Sequence, residues 1–326
     1  MAMTGALNGN IKKVGGVLIM YYRPILLVGI IIASSAVIQD PVQNMINVFT
    51  MQAPYVLIYT MGMTLAIVAG GLDLSQGSVA AFSTCFAAMW IIQGGSDIVT
   101  GIIICIVVGA MFGMTNGIII TKAKVPPFIA TYGMDWAARG LTFIMMGGVM
   151  IYGFSDEFLS VAWGTIFGIS NIFYIAIALF VILALITLKT TFGRQIYMVG
   201  SNPQAAKLSG VRNDAVITAV YTISGALAAI AGLLFVSRLD VAEAFLGRDF
   251  ALNALAASLI GGSRQGGGKG GVINAIQGVL IMLFIFNLLN VWRVSVLWHP
   301  LVFGIIIVVA AVLEQTRTAY MVKRLS

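Results

Sequence analysis

Ten apolar runs divide this chain, and that repetition constrains its fold more than any other feature. They are Val17–Ile38, Met45–Ala69, Leu72–Ile92, Ile98–Thr121, Pro127–Val149, Ile166–Leu188, Ala215–Ser237, Phe250–Ile260, Val272–Asn290 and Pro300–Leu313. Most approach or exceed the roughly 20 residues that a helix needs to cross a bilayer. The eighth and tenth are shorter. Only 9% of the 326 residues are charged and 60% are apolar, against about 25% charged in a soluble domain. A chain so poor in polar groups cannot cover its surface in water, which excludes a disordered chain, a nucleic-acid-binding domain and an ordinary cytosolic enzyme. No polar linker separates two cores. The expectation is an all-α integral membrane protein: one polytopic helical bundle over residues 1–326 with about ten transmembrane helices.

The few charges sort by side. With the N-terminus inside and ten spans, the inner loops hold Lys122, Lys124, Lys189, Arg194, Lys207, Arg212, Arg264 and Lys269. Lys12, Lys13, Arg317, Lys323 and Arg324 lie on the inner tails, and Arg23 near the inner end of the first span. The outer loops take Asp40, Asp97, Asp156, Glu157, Asp240, Glu243 and Asp249. A basic inner side is what membrane insertion selects, so both termini are expected in the cytoplasm. The net charge of +7 thereby reads as orientation, and no nucleic-acid partner is expected. Lys12 and Lys13 ahead of an apolar run, with Ser34-Ser35-Ala36 after it, superficially resemble a signal peptide. The many later runs favour an uncleaved first helix. Cys85 and Cys105 lie inside apolar runs and read as small core residues.

The longest inner loop spans residues 189–214. Within it Asn202 is a good N-cap, Pro203 suits the first helical position, and Gly210 suits the stop. A short exposed helix is expected between them. Two roles are open from the residues alone: docking another protein, or packing on the inner face of the bundle.

Gln204-Ala205-Ala206, with Gly210 three residues further on, resembles the E-A-A-x-x-x-G pattern of bacterial ABC-transporter permeases. Gln204 stands where the acid is usual. Gly70-Gly71-Leu72-Asp73-Leu74-Ser75-Gln76-Gly77-Ser78 resembles the G-G-I-D-L-S-x-G-S stretch of the branch that imports ribose, galactose, xylose and related solutes. Asn116-Gly117, Val125-Pro126-Pro127-Phe128-Ile129-Ala130-Thr131, Ala138-Arg139-Gly140-Leu141, Phe192-Gly193-Arg194 and Leu259-Ile260-Gly261-Gly262 follow in order. The resemblance covers roughly residues 45–315. It implies that Asn202, Pro203, Gln204, Ala205, Ala206, Lys207, Ser209 and Gly210 form a coupling helix gripped by an ATPase. It further implies a permease homodimer or heterodimer, a cytoplasmic ABC ATPase (single or tandem-domain), and a periplasmic or lipid-anchored solute-binding protein. ATP and Mg would sit on the ATPase, so this chain needs no cofactor and is not itself an enzyme. The implied location is the bacterial inner membrane, with the lipid bilayer as its solvent, and the implied solute a monosaccharide. A nucleoside or an autoinducer-type sugar is the alternative solute. The rival mechanism is a secondary transporter driven by an ion gradient.

The motif at residues 70–78 also has a local reading. Gly70 and Gly71 permit a tight turn, Asp73 or Ser75 can cap the next helix, and Gly77 and Ser78 allow close packing. Asp73 is read as a cap at the inner interface rather than a solute contact. Asp135 and Arg139, four residues apart, can pair on one helix face. Asn116, Asn274 and Gln277 are candidates, with Phe128, for lining a hydrophilic path; interhelical hydrogen bonding is the other reading of the polar three. The run Gly261–Gly271 suggests a phosphate loop, but its spacing lacks the required first glycine and no strand precedes it. It is read as a basic inner turn beside the coupling helix. No Cys/His cluster has metal-ligand spacing, so no metal is expected.

Overall fold

The computed structural model describes residues 23–38, 40–94, 97–306 and positions 308, 309, 312 and 316. The helices are α1 (Arg23–Val37), α2 (Pro41–Val68), α3 (Gln76–Ile92), α4 (Ile98–Lys122) and α5 (Pro127–Met146). They continue as α6 (Asp156–Trp163), α7 (Asn171–Lys189), α8 (Thr191–Ser201), α9 (Pro203–Leu208), α10 (Asn213–Leu239), α11 (Phe250–Ile260) and α12 (Val272–Val291). Residues 299–306 are helical again. Lys12, Lys13, the start of the first apolar run and the basic tail from Arg317 lie outside the described residues. By length and composition, α2, α4, α7, α10 and α12 are long and apolar enough to cross a membrane. α1, α3 and α11 are apolar but shorter.

Local chemistry sets the helix ends. Asp40 accepts from Gln43 N (3.2 Å) ahead of Pro41. Asp97 accepts from Thr100 N and Oγ1 at 3.1 and 2.6 Å. Those two bonds hold the exposed Asp97 carboxyl below its ordinary pKa. Inside α2, Pro54 brings no N–H to the ladder, and the helix widens into a π turn over Val48–Gln52 just before it.

The centre of the bundle is a seam of small residues. Cys105, Gly109, Gly113, Gly117 and Thr121 recur every fourth position on α4, all buried. This row lies against Thr218, Tyr221, Gly225 and Ala229 of α10. A Cβ on Gly109 would stand 2.5 Å from Ala229 Cβ and 2.6 Å from Gly225 O, so the backbones touch. In lipid, where apolar burial gives no net drive, such close packing supplies helix association. The far face of α4 carries exposed Ile103, Val107, Met111, Met114 and Ile118.

Helix direction sorts the loops into two ends. The breaks after α2, α4, α7 and α11 share one end with α8 and α9. This end holds Lys122, Lys124, Lys189, Arg194, Lys207, Arg212, Arg264 and Lys269. The opposite end holds Asp40, Asp97, Asp156, Glu157, Asp240 and Glu243, with Trp90, Trp163, Trp292 and Trp298 at helix ends there. Two short antiparallel pairs also lie at that end. Ile151–Tyr152 pairs with Val241–Ala242, and Thr165–Ile166 pairs with Ile169–Ser170.

Two helical expectations are corrected. The run from Ile166 starts in a hairpin turning at Phe167 and Gly168, both with positive φ (52° and 78°), and α7 begins only at Asn171. The run from Leu72 is not helical until Gln76. Residues 71–75 run back into the bundle from the basic end as a non-helical segment. Apolar composition hid both features, because hydropathy does not distinguish extended from helical backbone.

Candidate functional site

Two discontinuities meet inside the bundle. After α2, Gly70 (φ 95°) reverses the chain at the basic end, where Gly268 N donates to Val68 O (2.9 Å). Residues 71–75 then lead inward to α3, whose Gln76 donates to Tyr59 O (3.0 Å), more than two turns back along α2. After α10, residues 241–249 lead inward from the acidic end to α11. The two paths touch at Gly77 and Gly247. A Cβ on Gly247 would meet Gly77 O at 3.0 Å, and one on Gly77 would collide with Gly247 O.

Non-helical backbone at such depth requires partners from the protein. Leu72 O accepts from Tyr221 OH (3.1 Å) and Thr131 Oγ1 (3.3 Å). Arg139 donates to Ala244 O (2.7 Å) and Leu246 O (3.1 Å) and lies 3.8 Å from Asp135. The expected Asp135–Arg139 pair is therefore present, and its cation also holds the second break.

Asp73 anchors the first break. It is 1% exposed. Its Oδ1 accepts from Ser75 N (3.1 Å) and Ser75 Oγ (2.6 Å), and its Oδ2 from Ser224 Oγ (2.6 Å) of α10. Each hydroxyl is itself supported: Asn116 Nδ2 donates to Ser75 Oγ (2.8 Å) and Gln76 Nε2 to Ser224 Oγ (2.9 Å). The carboxylate thus ties the break to α4 and α10. This corrects the capping assignment, because neither Asp73 nor Ser75 makes a side-chain cap to α3. Ser75 spends its hydroxyl on Asp73, and Ser78 bonds back to Ser75 O (2.9 Å). Gly71 is packed between Tyr221 and Pro127.

At the basic end, α9 forms where its cap signals place it. Asn202 Oδ1 accepts from Gln204 N and Ala205 N, both at 3.0 Å, and Pro203 takes the first position. Gly210 (φ 83°) closes the turn with bonds from Gly210 N to Lys207 O and from Val211 N to Ala206 O, both 3.0 Å. Asn213 Nδ2 donates to Pro203 O (2.7 Å), bracing α9 against α10. Only Ala206 is buried; Pro203, Gln204, Ala205, Lys207 and Ser209 are exposed. Leu208 is 91% exposed. The glycine run lies alongside: Tyr197 OH donates to Gly270 O (3.0 Å), and Gly267 and Gly268 pack on Gly200 and Ser201.

The four path candidates are not brought together. Asn116 is fully buried in the Asp73 network. Phe128 is 55% exposed on α5. Gln277 is exposed and Asn274 half-buried in the first two turns of α12. Sequence reasoning missed Ser224, Tyr221 and Leu208. The first two act across about 150 positions of chain, which no local pattern reports. Leu208 has a signal, an apolar residue on a capped helix in a polar loop.

Residues 44–311 match the family described as branched-chain amino acid transport system / permease component. Ribose import permease protein RbsC of Bacillus subtilis (strain 168) is 36% identical over 278 residues, 85% of this chain and 86% of the relative. The D-allose transport system permease protein AlsC of Escherichia coli (strain K12) is 32% identical over 272 residues, 83% of each. Autoinducer 2 import system permease protein LsrC of Escherichia coli (strain SMS-3-5 / SECEC) is 28% identical over 273 residues, 84% of this chain and 79% of that protein. No solved structure matches at a significant level. With its apolar helices, the chain is a multi-pass membrane protein and a transport permease, and it belongs to the branched-chain amino acid transport system / permease component family.

Proposed function

We propose that this chain is the membrane-spanning subunit of an ATP-driven ABC importer in a bacterial inner membrane, and that α9 is its coupling helix. It crosses the bilayer about ten times, with the basic end and both termini in the cytoplasm. Two permease copies, or this chain and a related one, enclose the path. ATP and Mg are held by a cytoplasmic ATPase whose groove takes α9. A periplasmic or lipid-anchored binding protein delivers a small sugar to the opposite end, where Asp156, Glu157, Asp240 and Glu243 are available to meet it. The ribose, allose and autoinducer 2 relatives support a sugar as solute.

The observation that carries this reading is the form of α9. A doubly capped, braced helix projects a 91% exposed leucine from the basic end. An apolar side chain on a rigid element suits a partner's pocket better than solvent. An ion-driven mechanism has less support. Asp135 is occupied by Arg139, and Asp73 by three donors. Proton or ion relays use acids that remain available within the membrane.

The test is reconstitution of the permease with its ATPase and binding protein. Ala205→Trp, an exposed position, should leave assembly and basal ATP hydrolysis intact while solute uptake per ATP falls sharply. Unchanged uptake per ATP would remove the coupling assignment.

A further inference from the structure

α5 is the one described helix of 18 residues or more that falls outside the set apolar enough to cross a membrane. The reason lies on one side of it. Phe128, Tyr132 and Trp136 stand one per turn and are 55, 48 and 65% exposed. Phe128 and Tyr132 stack nearly parallel with centroids 5.9 Å apart, and Tyr132 meets Trp136 edge-on at 6.4 Å. Phe143, one helical turn beyond Arg139, continues the row toward the acidic end and packs edge-on against Phe245, itself 55% exposed. At 1.5 Å per residue, Phe128 to Phe143 covers about 22 Å, most of a bilayer's apolar thickness.

Asp135 and Arg139 border this row. At 100° per residue, Asp135 falls about 20° from Phe128, and Arg139 falls between Phe128 and Tyr132 in projection. Their side chains remain 27 and 13% exposed. Asp135 is the ninth of the twenty residues of α5, so this charge sits near mid-depth. Acids and bases at mid-depth face protein or water, since hydrocarbon penalises them by several kcal/mol. The lipid-suited faces of this protein look different. α4 exposes Ile103, Val107, Met111 and Met114, and α7 exposes Ile177, Val181, Ile182 and Leu185, with no ring and no charge among them.

We infer that the aromatic face of α5 lines a water-filled passage, and that its ligand is a neutral, polyhydroxylated solute. This deepens the permease reading and rests on it. Rings offer flat apolar faces to the C–H faces of a sugar ring. Asp135 and Arg139 supply a hydrogen-bond acceptor and donor beside them, as specific sites do. The pair carries no net charge, so nothing there selects an ion. A row of weak, similar stations suits passage better than one tight site, because a solute must also leave. The row ends where Arg139 holds the Gly77–Gly247 crossing, so a solute on the rings would touch the bundle's two discontinuities.

The test places single cysteines in the assembled transporter in native membranes and labels them with a charged, membrane-impermeant maleimide. Cys85 and Cys105 are fully buried and serve as silent background. Tyr132→Cys and Trp136→Cys should label at rates like Gly168→Cys in the exposed hairpin, and excess sugar should slow them. Val107→Cys, on the lipid-suited face of α4, should stay unlabelled. Separately, Trp136→Leu should lower uptake about twofold to tenfold, the worth of one aromatic contact, with ATP hydrolysis intact and Trp136→Phe restoring uptake. The inference is overturned if Tyr132→Cys behaves as Val107→Cys. It is equally overturned if Tyr132→Cys only forms a disulfide between copies, which would mark a dry contact. Uncoupling by Ala205→Trp alongside either result would leave the permease reading standing and sink this one alone.

Discussion

The seam between α4 and α10 makes a prediction in which one substitution type acts with opposite sign at two glycines. Gly109→Ala would place a methyl group 2.5 Å from Ala229 Cβ and 2.6 Å from Gly225 O. Carbon atoms prefer about 3.5–4.0 Å, so the helices must separate by about 1 Å there. Shifts of that size forfeit a quarter to a half of each contact's attraction, and overpacking typically costs about 1–3 kcal/mol. Alanine recovers about 1 kcal/mol of helix propensity, leaving a net loss of about 1–2 kcal/mol by the same estimates. Gly140→Ala on α5 meets nothing within 4 Å and should gain about 0.5–1 kcal/mol. Thermal unfolding in detergent, followed by size-exclusion chromatography of the surviving fraction, compares the two. The expected order is Gly140→Ala above the parent and Gly109→Ala below it. Equal melting points, or a Gly109→Ala variant at or above the parent, would refute the close-contact account of the seam.

Three further outcomes follow from the breaks and from α9. Asp73→Asn and Ser224→Ala should each destabilise by about 1–3 kcal/mol, and the double variant by clearly less than their sum, since both remove one bond; strict additivity would deny the link. Arg139→Met leaves Asp135 unpaired and two carbonyls without their donor, a loss of about 3–5 kcal/mol, and adding Asp135→Asn should restore part of the folded yield; no recovery would mean the pair is not coupled. Asn202→Ala should cost α9 about 1 kcal/mol, read as faster hydrogen exchange at the Gln204 and Ala205 amides, whereas unchanged exchange would mean the cap is idle.

What was legible in the sequence was local or periodic. Apolar runs marked the helices because lipid demands continuous hydrophobicity. The ends of α9 were readable because Asn202, Pro203 and Gly210 act on neighbours within a turn. The Asp135–Arg139 pair was readable from four-residue spacing. Asp73 was misassigned for the same reason in reverse. Local chemistry offered a cap, but its decisive partner is Ser224, brought alongside only when α10 packs. The break at residues 71–75 was masked by an apolar composition. Its glycines and its carboxylate were visible, but not the Tyr221 and Thr131 donors that make a non-helical path tolerable inside the bundle. Pathway residues were the hardest to find. Polarity drew attention to Asn116, which is an internal strut, while the aromatic row of α5 looked like ordinary membrane composition.

The central claim is that α9 is gripped by an ATPase, and the most direct measurement is the affinity of purified ATPase for the permease with Leu208 altered. Leu208 is 91% exposed here, so its substitution leaves the fold untouched and removes only what a partner would bury. Full burial of a leucine stabilises by about 1.5–3 kcal/mol, so Leu208→Ser should weaken binding roughly tenfold to a hundredfold. Titration of the ATPase onto permease in nanodiscs gives the number. An affinity unchanged by Leu208→Ser, with α9 still folded by hydrogen exchange, would contradict the account.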